Sequence, residues 1–189
     1  MKITIIGAGS IGGAIARGLA KGNMFKASDI TCTAQSQATL DKMKAANPDF
    51  VLSLNNIEAV KGADTLNSYL TKNTSYEDWV TPALFRIMPN TAIEVLSSMT
   101  FVSAHNATPE QSDLIINIFN ELGNAMLVEE RLMGAGTALA SSGIAFALRY
   151  IRAAIEGGVE LGFYPKQAQE IVVHTVKGAN DLLDRKSVV

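Results

Sequence analysis

Three glycines, Gly7, Gly9 and Gly12, follow the apolar run Ile3–Ile6 in the order G-x-G-x-x-G. Each has a task at a pyrophosphate. Gly7 permits a tight turn out of a strand, Gly9 lets a phosphate approach backbone that carries no Cβ, and Gly12 lets a helix lie close to the sheet. Ser10 and Ile11, where that helix starts, present free N–H groups and the positive end of the helix dipole. The strand before and the helix after turn a weak motif into a dinucleotide-binding signal; a merely structural glycine turn is the alternative. About 20 residues further on, an NAD-specific site places Asp or Glu at the end of the second strand. Here the sequence reads TCTAQSQATL, with the neutral donors Thr33, Gln35 and Ser36 and no carboxylate between Asp29 and Asp41. A neutral site tolerates a 2′-phosphate that an acid would repel, so NADP(H) is expected, with NAD(H) as the second choice. Asn90, in MPNTA, follows a strand end, where open α/β sheets bind ligands, and is expected to line the nicotinamide pocket. Its other reading is a turn residue with local capping bonds.

Those residues need an α/β scaffold, and the patterning supplies one. Strand, helix, strand, helix, strand and helix are expected at 3–6, 11–21, 29–34, 37–46, 51–54 and 56–61, the opening of a doubly wound, Rossmann-type sheet. The pattern then fails. TLNSYLTKNTSYEDW, from Thr65, is polar and helix-like where a fourth apolar strand belongs. Strand character resumes at 84–88 and 99–104. Thr108, Pro109 and Gln111 signal a helix start, Gly123 closes that helix, and AMLVEE reads as a last strand. Beyond Arg131 only helical patterning remains. The expected organisation is therefore a dinucleotide-binding domain over 1–130 and an all-α domain over 131–189.

Bulk composition narrows the function classes. The 189 residues are 48% hydrophobic and 18% charged, with 16 basic against 18 acidic side chains and a net charge of −2. No clustered basic face points to nucleic acid. The apolar stretches read as broken before the roughly 20 residues a bilayer requires, and the strand–turn–helix pattern accounts for the N-terminus better than a signal peptide does. One cysteine, Cys32, excludes an internal disulfide framework. A cytoplasmic protein acting on a small molecule is the expectation. His105 and His174 have no metal-ligand spacing around them, and His174 reads as a core or interface residue.

Three stretches carry a resemblance: the glycine-rich opening, LFRIMPNTAIEVLSSMTFVSAHN, and VEERLMGAGTALASSGIAFALRYIRAAIEGGVELGF. Together they resemble pyrroline-5-carboxylate reductase, which reduces a cyclic imine to proline. The resemblance implies NADP(H) as hydride source and dimerisation through the helical domain. It also implies roles for particular residues. Met88 and Pro89 shape the same wall as Asn90. Glu130 matches an acidic residue that contacts substrate, where an anion suits the ring nitrogen of an iminium; an ordinary solvated carboxylate is the alternative, and Glu129 is the weaker choice. Ser142 inherits a cofactor-facing role, with Thr137 beside it, unless the small residues there serve only close helix packing. Asn56 matches an asparagine near the adenosine end of the cofactor, caps its helix, or does both, and Asn55 competes for either task.

The sequence departs from the family in three places. A strand ending in A-V-K-P is absent between Asp64 and Thr65, and a T-x-P-G-G-x-T segment is not reached. The family's L-S-G-S-G-P-A-Y reads Leu139-Ala140-Ser141-Ser142-Gly143-Ile144-Ala145-Phe146 here. Two further readings therefore stand beside the reductase: a reductase of another imine or keto acid on the same scaffold, and an NADP(H)-binding protein without catalysis. The lysine of a hydroxyacid dehydrogenase is missing, since no lysine occurs over 131–160.

Overall fold

The computed structural model describes residues 1–60, 65–67 and 83–184. Among them β1 (Ile3–Ile6), β2 (Ile30–Thr33), β3 (Val51–Ser53) and β4 (Thr65–Asn67) form a parallel sheet in the order β3-β2-β1-β4. Ile3 stands opposite Ile30 on one side and Thr65 on the other. Parallel neighbours need crossovers, and α1 (Ser10–Leu19), α2 (Gln37–Ala46) and α3 (Asn56–Val60) provide them. A second sheet holds β5 (Leu84–Met88), β6 (Ser98–His105) and β7 (Gly123–Leu127), with β5 antiparallel and β7 parallel to β6. The crossover from β6 to β7 is α4 (Pro109–Asn120). Its Thr108 hydroxyl accepts from the Gln111 N–H while the Gln111 side chain accepts from the Thr108 N–H, the reciprocal cap that the sequence signals. A short helix, α5 (Met133–Gly136), follows β7.

One hydrophobic core joins the two sheets. Ile5 on β1, Leu19 on α1 and Ile30 on β2 share it with Val102 on β6, Ile118 on α4 and Leu122 just before β7, all essentially inaccessible to water. Each such side chain contributes about 1.5–3 kcal/mol by leaving water. Close approach of α1 to β1 depends on Gly12, where a Cβ would lie 2.1 Å from the Gly7 carbonyl oxygen. At its other end α1 packs on the 3-10 turn Thr91–Val95 that follows β5. Arg17 donates from Nη2 to Glu94 at 2.7 and 2.8 Å and from Nε at 3.1 Å. That guanidinium hydrogen bond holds the Glu94 carboxyl below its ordinary pKa.

The structure corrects the sequence reading in several places. Thr65–Asn67 is not helical but a strand beside β1, so the fourth strand position is occupied, by three residues. A three-residue strand with one apolar side chain has no periodicity to detect. Residues 68–82 of the helix-like stretch lie outside the described residues. Gly123 does not close α4; the helix ends at Asn120, and Gly123 opens β7 at φ +141°, where a Cβ would strike the Ser98 backbone. The chain divides into two compact units, the first Met1–Ala140 and the second beginning at Ser141.

In the second unit α6 (Gly143–Glu160) and α7 (Pro165–Asp184) form a helical hairpin. The Gly162 N–H bonds to the Val159 carbonyl and the Phe163 N–H to the Gly158 carbonyl, with Gly162 at φ +104°. That pattern is a Schellman stop, and Pro165 then starts the next helix. The helices approach closely where a Cβ on Gly158 would lie 3.1 Å from Ala168 Cβ. By length and composition, though, the helical stretch Glu130–Glu160 could cross a membrane, contrary to the expectation of broken apolar runs. Small residues and few charges, rather than an unbroken bulky run, give it that character.

Gly12→Ala is expected to cost about 2 kcal/mol or more in urea unfolding, because backbone must move to admit the methyl. Glu94→Gln should cost at most about 1 kcal/mol near pH 7. With its pKa depressed in the fold, Glu94 stabilises above the ordinary carboxylate range and loses that contribution as pH falls through the depressed value. The wild-type advantage over Glu94→Gln in urea midpoints should therefore shrink on acidification.

Candidate functional site

The glycine loop leaves β1 as the motif requires. Gly7 sits at φ +90°, and the Gly7 and Ala8 N–H groups bond to the Thr33 carbonyl at 3.1 and 2.6 Å, fastening the turn to β2. A Cβ at Gly7 or Gly9 would meet nothing within 4 Å, so the loop faces open space there. Gly9 caps α1 without any side-chain hydrogen bond, and the first turn has no acidic residue. The amides of Ser10, Ile11 and Gly12 have no acceptor within the helix. Ser10 is exposed, and Ile11 offers an apolar surface at 51% exposure beside them. A diphosphate fits this cradle: room above glycine, unpaired N–H donors, and no competing carboxylate.

Beyond β2, Gln35 and Ser36 are exposed. The Ser36 and Thr39 hydroxyls are 3.1 Å apart, and the Gln37 amide donates to Asp41 at 2.9 Å, so the first carboxylate past the strand is already engaged. Asn56 is exposed on α3, and its capping alternative falls away: Asn55 Oδ1 accepts from the Ile57 and Glu58 N–H groups at 3.0 and 3.3 Å. Cys32 is fully buried on β2, and burial pushes its thiol up to about 12.

The second group of candidates converges on one strip. Arg86, Met88 and Asn90 alternate along β5 and its exit, and alternate residues of a strand share a face. Each bonds to the segment after β7. Arg86 Nη1 pairs with Glu130. The Thr137 hydroxyl lies 2.8 Å from Met88 Sδ and 2.9 Å from the Met133 carbonyl oxygen, with one proton for the two acceptors. Asn90 Nδ2 donates to the Ala140 carbonyl at 3.3 Å. On its own side of the turn Asn90 Oδ1 accepts from the Ala92 N–H at 3.1 Å, so the capping role weighed for it is also present. One amide proton of Asn90 remains to be donated.

The segment opposite β5 is held from below. Met133 is buried, and Gly136 rests on the Phe101 ring, where a Cβ would lie 2.8 Å away. Glu129, beside Glu130, pairs with Arg131. The strip thus links Arg86 to Glu130, Met88 to Thr137 and Asn90 to Ala140, pairs 44 to 50 positions apart in sequence, and Pro89 connects Met88 and Asn90.

Ser142 belongs to the second unit, at the head of α6, where its carbonyl accepts from the Ala145 and Phe146 N–H groups. His105 ends β6 and is exposed; His174 is exposed on α7, which removes the core half of its core-or-interface reading. No metal-binding group of His, Cys, Asp and Glu occurs among the described residues. Arg86 is the residue the sequence reading passed over. Its signal was present in the alternation with Met88 and Asn90, but nothing local identified Glu130 as its partner.

Comparison with known proteins gives this geometry its family. Residues 130–188 match the model for pyrroline-5-carboxylate reductase dimerisation, and residues 2–66 match the model described as NADP oxidoreductase, coenzyme F420-dependent. The chain is 30% identical to pyrroline-5-carboxylate reductase of Methanosarcina acetivorans, over 94% of this chain and 77% of that protein. It is also 30% identical to pyrroline-5-carboxylate reductase 1 of Dictyostelium discoideum, over 96% of this chain, but spans only 40% of that protein's length. That alignment runs to 223 positions against a chain of 189 residues, so the relative carries internal residues with no counterpart here. The fold matches that of 1-pyrroline-5-carboxylate reductase from Streptococcus pyogenes with a TM-score of 0.84, at 22% identity, covering 100% of this chain and 82% of the other. With a Rossmann-type sheet, a helical hairpin and the M-P-N strip joined to the VEE segment, the chain belongs to the pyrroline-5-carboxylate reductase family.

Proposed function

We propose that this protein reduces 1-pyrroline-5-carboxylate to L-proline, with NADPH as the preferred hydride donor and NADH as the second. The observation that supports the reading is the β5 strip, on which Arg86, Met88 and Asn90 bond to Glu130, Thr137 and Ala140 in a chain of this family. The glycine cradle suits the diphosphate of either dinucleotide, and the neutral exposed donors Gln35 and Ser36 suit the 2′-phosphate of NADP(H).

A bound nicotinamide supplies the hydride. The chain's own residues bind and orient. Gly7 and Gly9 give room for the phosphates, and the amides of Ser10, Ile11 and Gly12 donate to them. Asn56 and Ser142 are assigned to the cofactor as well. Asn90, fixed from both ends of its amide, offers its remaining proton to the nicotinamide side of the site with Met88 and Pro89 as its wall. Glu130 faces the ring nitrogen: a carboxylate beside an iminium favours the protonated imine, the form most open to hydride attack. A protonated imine is already electron-poor, so no strong general acid is required.

The helical unit is assigned to pairing with a second copy. Phe146, Leu148, Tyr150, Ile171 and Leu182 are 48–69% exposed on α6 and α7, a larger apolar surface than a monomer usually leaves in water. The match to a dimerisation model over 130–188 supports self-association, rather than a membrane, as the cover for this surface. The cytoplasm, which holds a soluble nicotinamide pool, is the compartment this reading calls for.

Loss of absorbance at 340 nm on mixing protein, NADPH and 1-pyrroline-5-carboxylate is the expected result. Tight NADPH binding with no turnover would instead favour a non-catalytic binding protein. Gly9→Ala should leave the urea midpoint unchanged, since its methyl meets nothing in the free protein, yet weaken NADPH binding by about tenfold or more. Unchanged affinity in a fluorescence titration would remove the phosphate from this loop.

A further inference from the structure

Arg17 stands toward the far end of α1 from the glycine loop, about 10 Å along the axis from Ser10. Its guanidinium touches two other elements. Nη2 and Nε donate to Glu94 in the turn after β5. Nη1 reaches Met43 Sδ on α2 at 3.8 Å. Gly13 leaves room for this reach, since a Cβ there would lie 3.1 Å from Nη1. One side chain of the cofactor helix therefore contacts both the helix that follows Gln35 and Ser36 and the turn that follows Asn90.

That turn carries Asn90. The Asn90 Oδ1 accepts from the Ala92 N–H at 3.1 Å and its carbonyl from the Ile93 N–H at 3.2 Å, so a rotation of the turn rotates the amide with it. Ile93 is buried, and a Cβ on Gly18 would lie 3.3 Å from Leu96 Cδ2. Apolar packing of this kind keeps the turn against α1 but is non-directional. The planar guanidinium fork supplies the direction. With side chains 32% and 53% exposed, the ion pair adds little to stability. Its leverage is geometric, because a misplacement of about 1 Å can slow a reaction by about a hundredfold.

We propose that Arg17 is a positioning residue for hydride transfer: through Glu94 it sets where Asn90 stands relative to the glycine cradle. This deepens the reductase reading and rests on it. The cradle holds the phosphates at one end of α1, so cofactor affinity does not depend on the pair. The approach of nicotinamide to imine does, because Asn90 and its wall sit on the element that Arg17 orients.

The test measures single-turnover NADPH oxidation with 1-pyrroline-5-carboxylate, which separates chemistry from binding and product release, beside NADPH affinity by fluorescence titration. Arg17→Gln and Glu94→Gln are each expected to slow the single turnover by about tenfold and to leave NADPH affinity within about twofold. The double variant should be no slower than either single one, because both remove the same tie. Arg17→Lys, which keeps a charged donor, should recover part of the rate. Urea midpoints should stay close to wild type. Unchanged turnover in both single variants, losses that multiply in the double one, or a loss in affinity instead of rate would overturn the positioning role and leave the reductase reading intact. A wild type that oxidises no NADPH with this imine would overturn both.

Discussion

The organisation of the first unit depends on how β5 is held. Its backbone pairs with β6 from Leu84 opposite His105 to Met88 opposite Phe101. On its other side no strand bonds to it among the described residues. On one face of the strand, side chains add a second attachment: Arg86, Met88 and Asn90 contact in turn Glu130, Thr137 and Ala140. The antiparallel register decides which residues of β5 share a face, and a slip by one position would turn all three away from their partners. Because Gly136 rests on Phe101, which is itself opposite Met88, the segment is fixed to the same two strands from two directions.

This constraint extends to the glycine loop through α1. The loop begins the helix, Gly12 lets the helix sit on β1, and Arg17 near its other end holds Glu94 in the turn that follows Asn90. Cofactor cradle and strip are therefore joined by one short helix and one ion pair. Leu96 completes that turn at φ 57°, a left-handed conformation uncommon for a bulky side chain, and its N–H bonds to the Ile93 carbonyl while Ile93 itself is buried.

Much of this was legible in the sequence wherever the cause is local. The helix Gln37–Ala46 and the strand Leu84–Met88 match their expected bounds, and the Thr108 cap forms as its residues signal. These features arise from neighbours a few positions apart. The glycine cradle was legible for the same reason. Features set by distant partners were not: β4 is a strand because β1 offers it an edge, not because Thr65-Leu66-Asn67 favours one. Arg86 finds Glu130 only after β6 and β7 have been laid between them. Asn55 rather than Asn56 became the cap because the helix starts at Asn56, which leaves Asn55 in the position before the first helical residue.

The helical unit shows the opposite balance. Its hairpin is specified locally by Gly162 and Pro165, yet among the described residues of α6 and α7 only Ala168 is fully buried as a hydrophobic side chain. Such a hairpin gains little by folding alone, which is consistent with the partner surface assigned to it. The most direct measurement of the account as a whole is isotope transfer. NADPH carrying deuterium at C4 of the nicotinamide is incubated with the protein and 1-pyrroline-5-carboxylate, and the proline formed is analysed by mass spectrometry. The account predicts proline that carries the deuteron at the former imine carbon. Unlabelled proline, or no proline while NADPH remains bound, would contradict it.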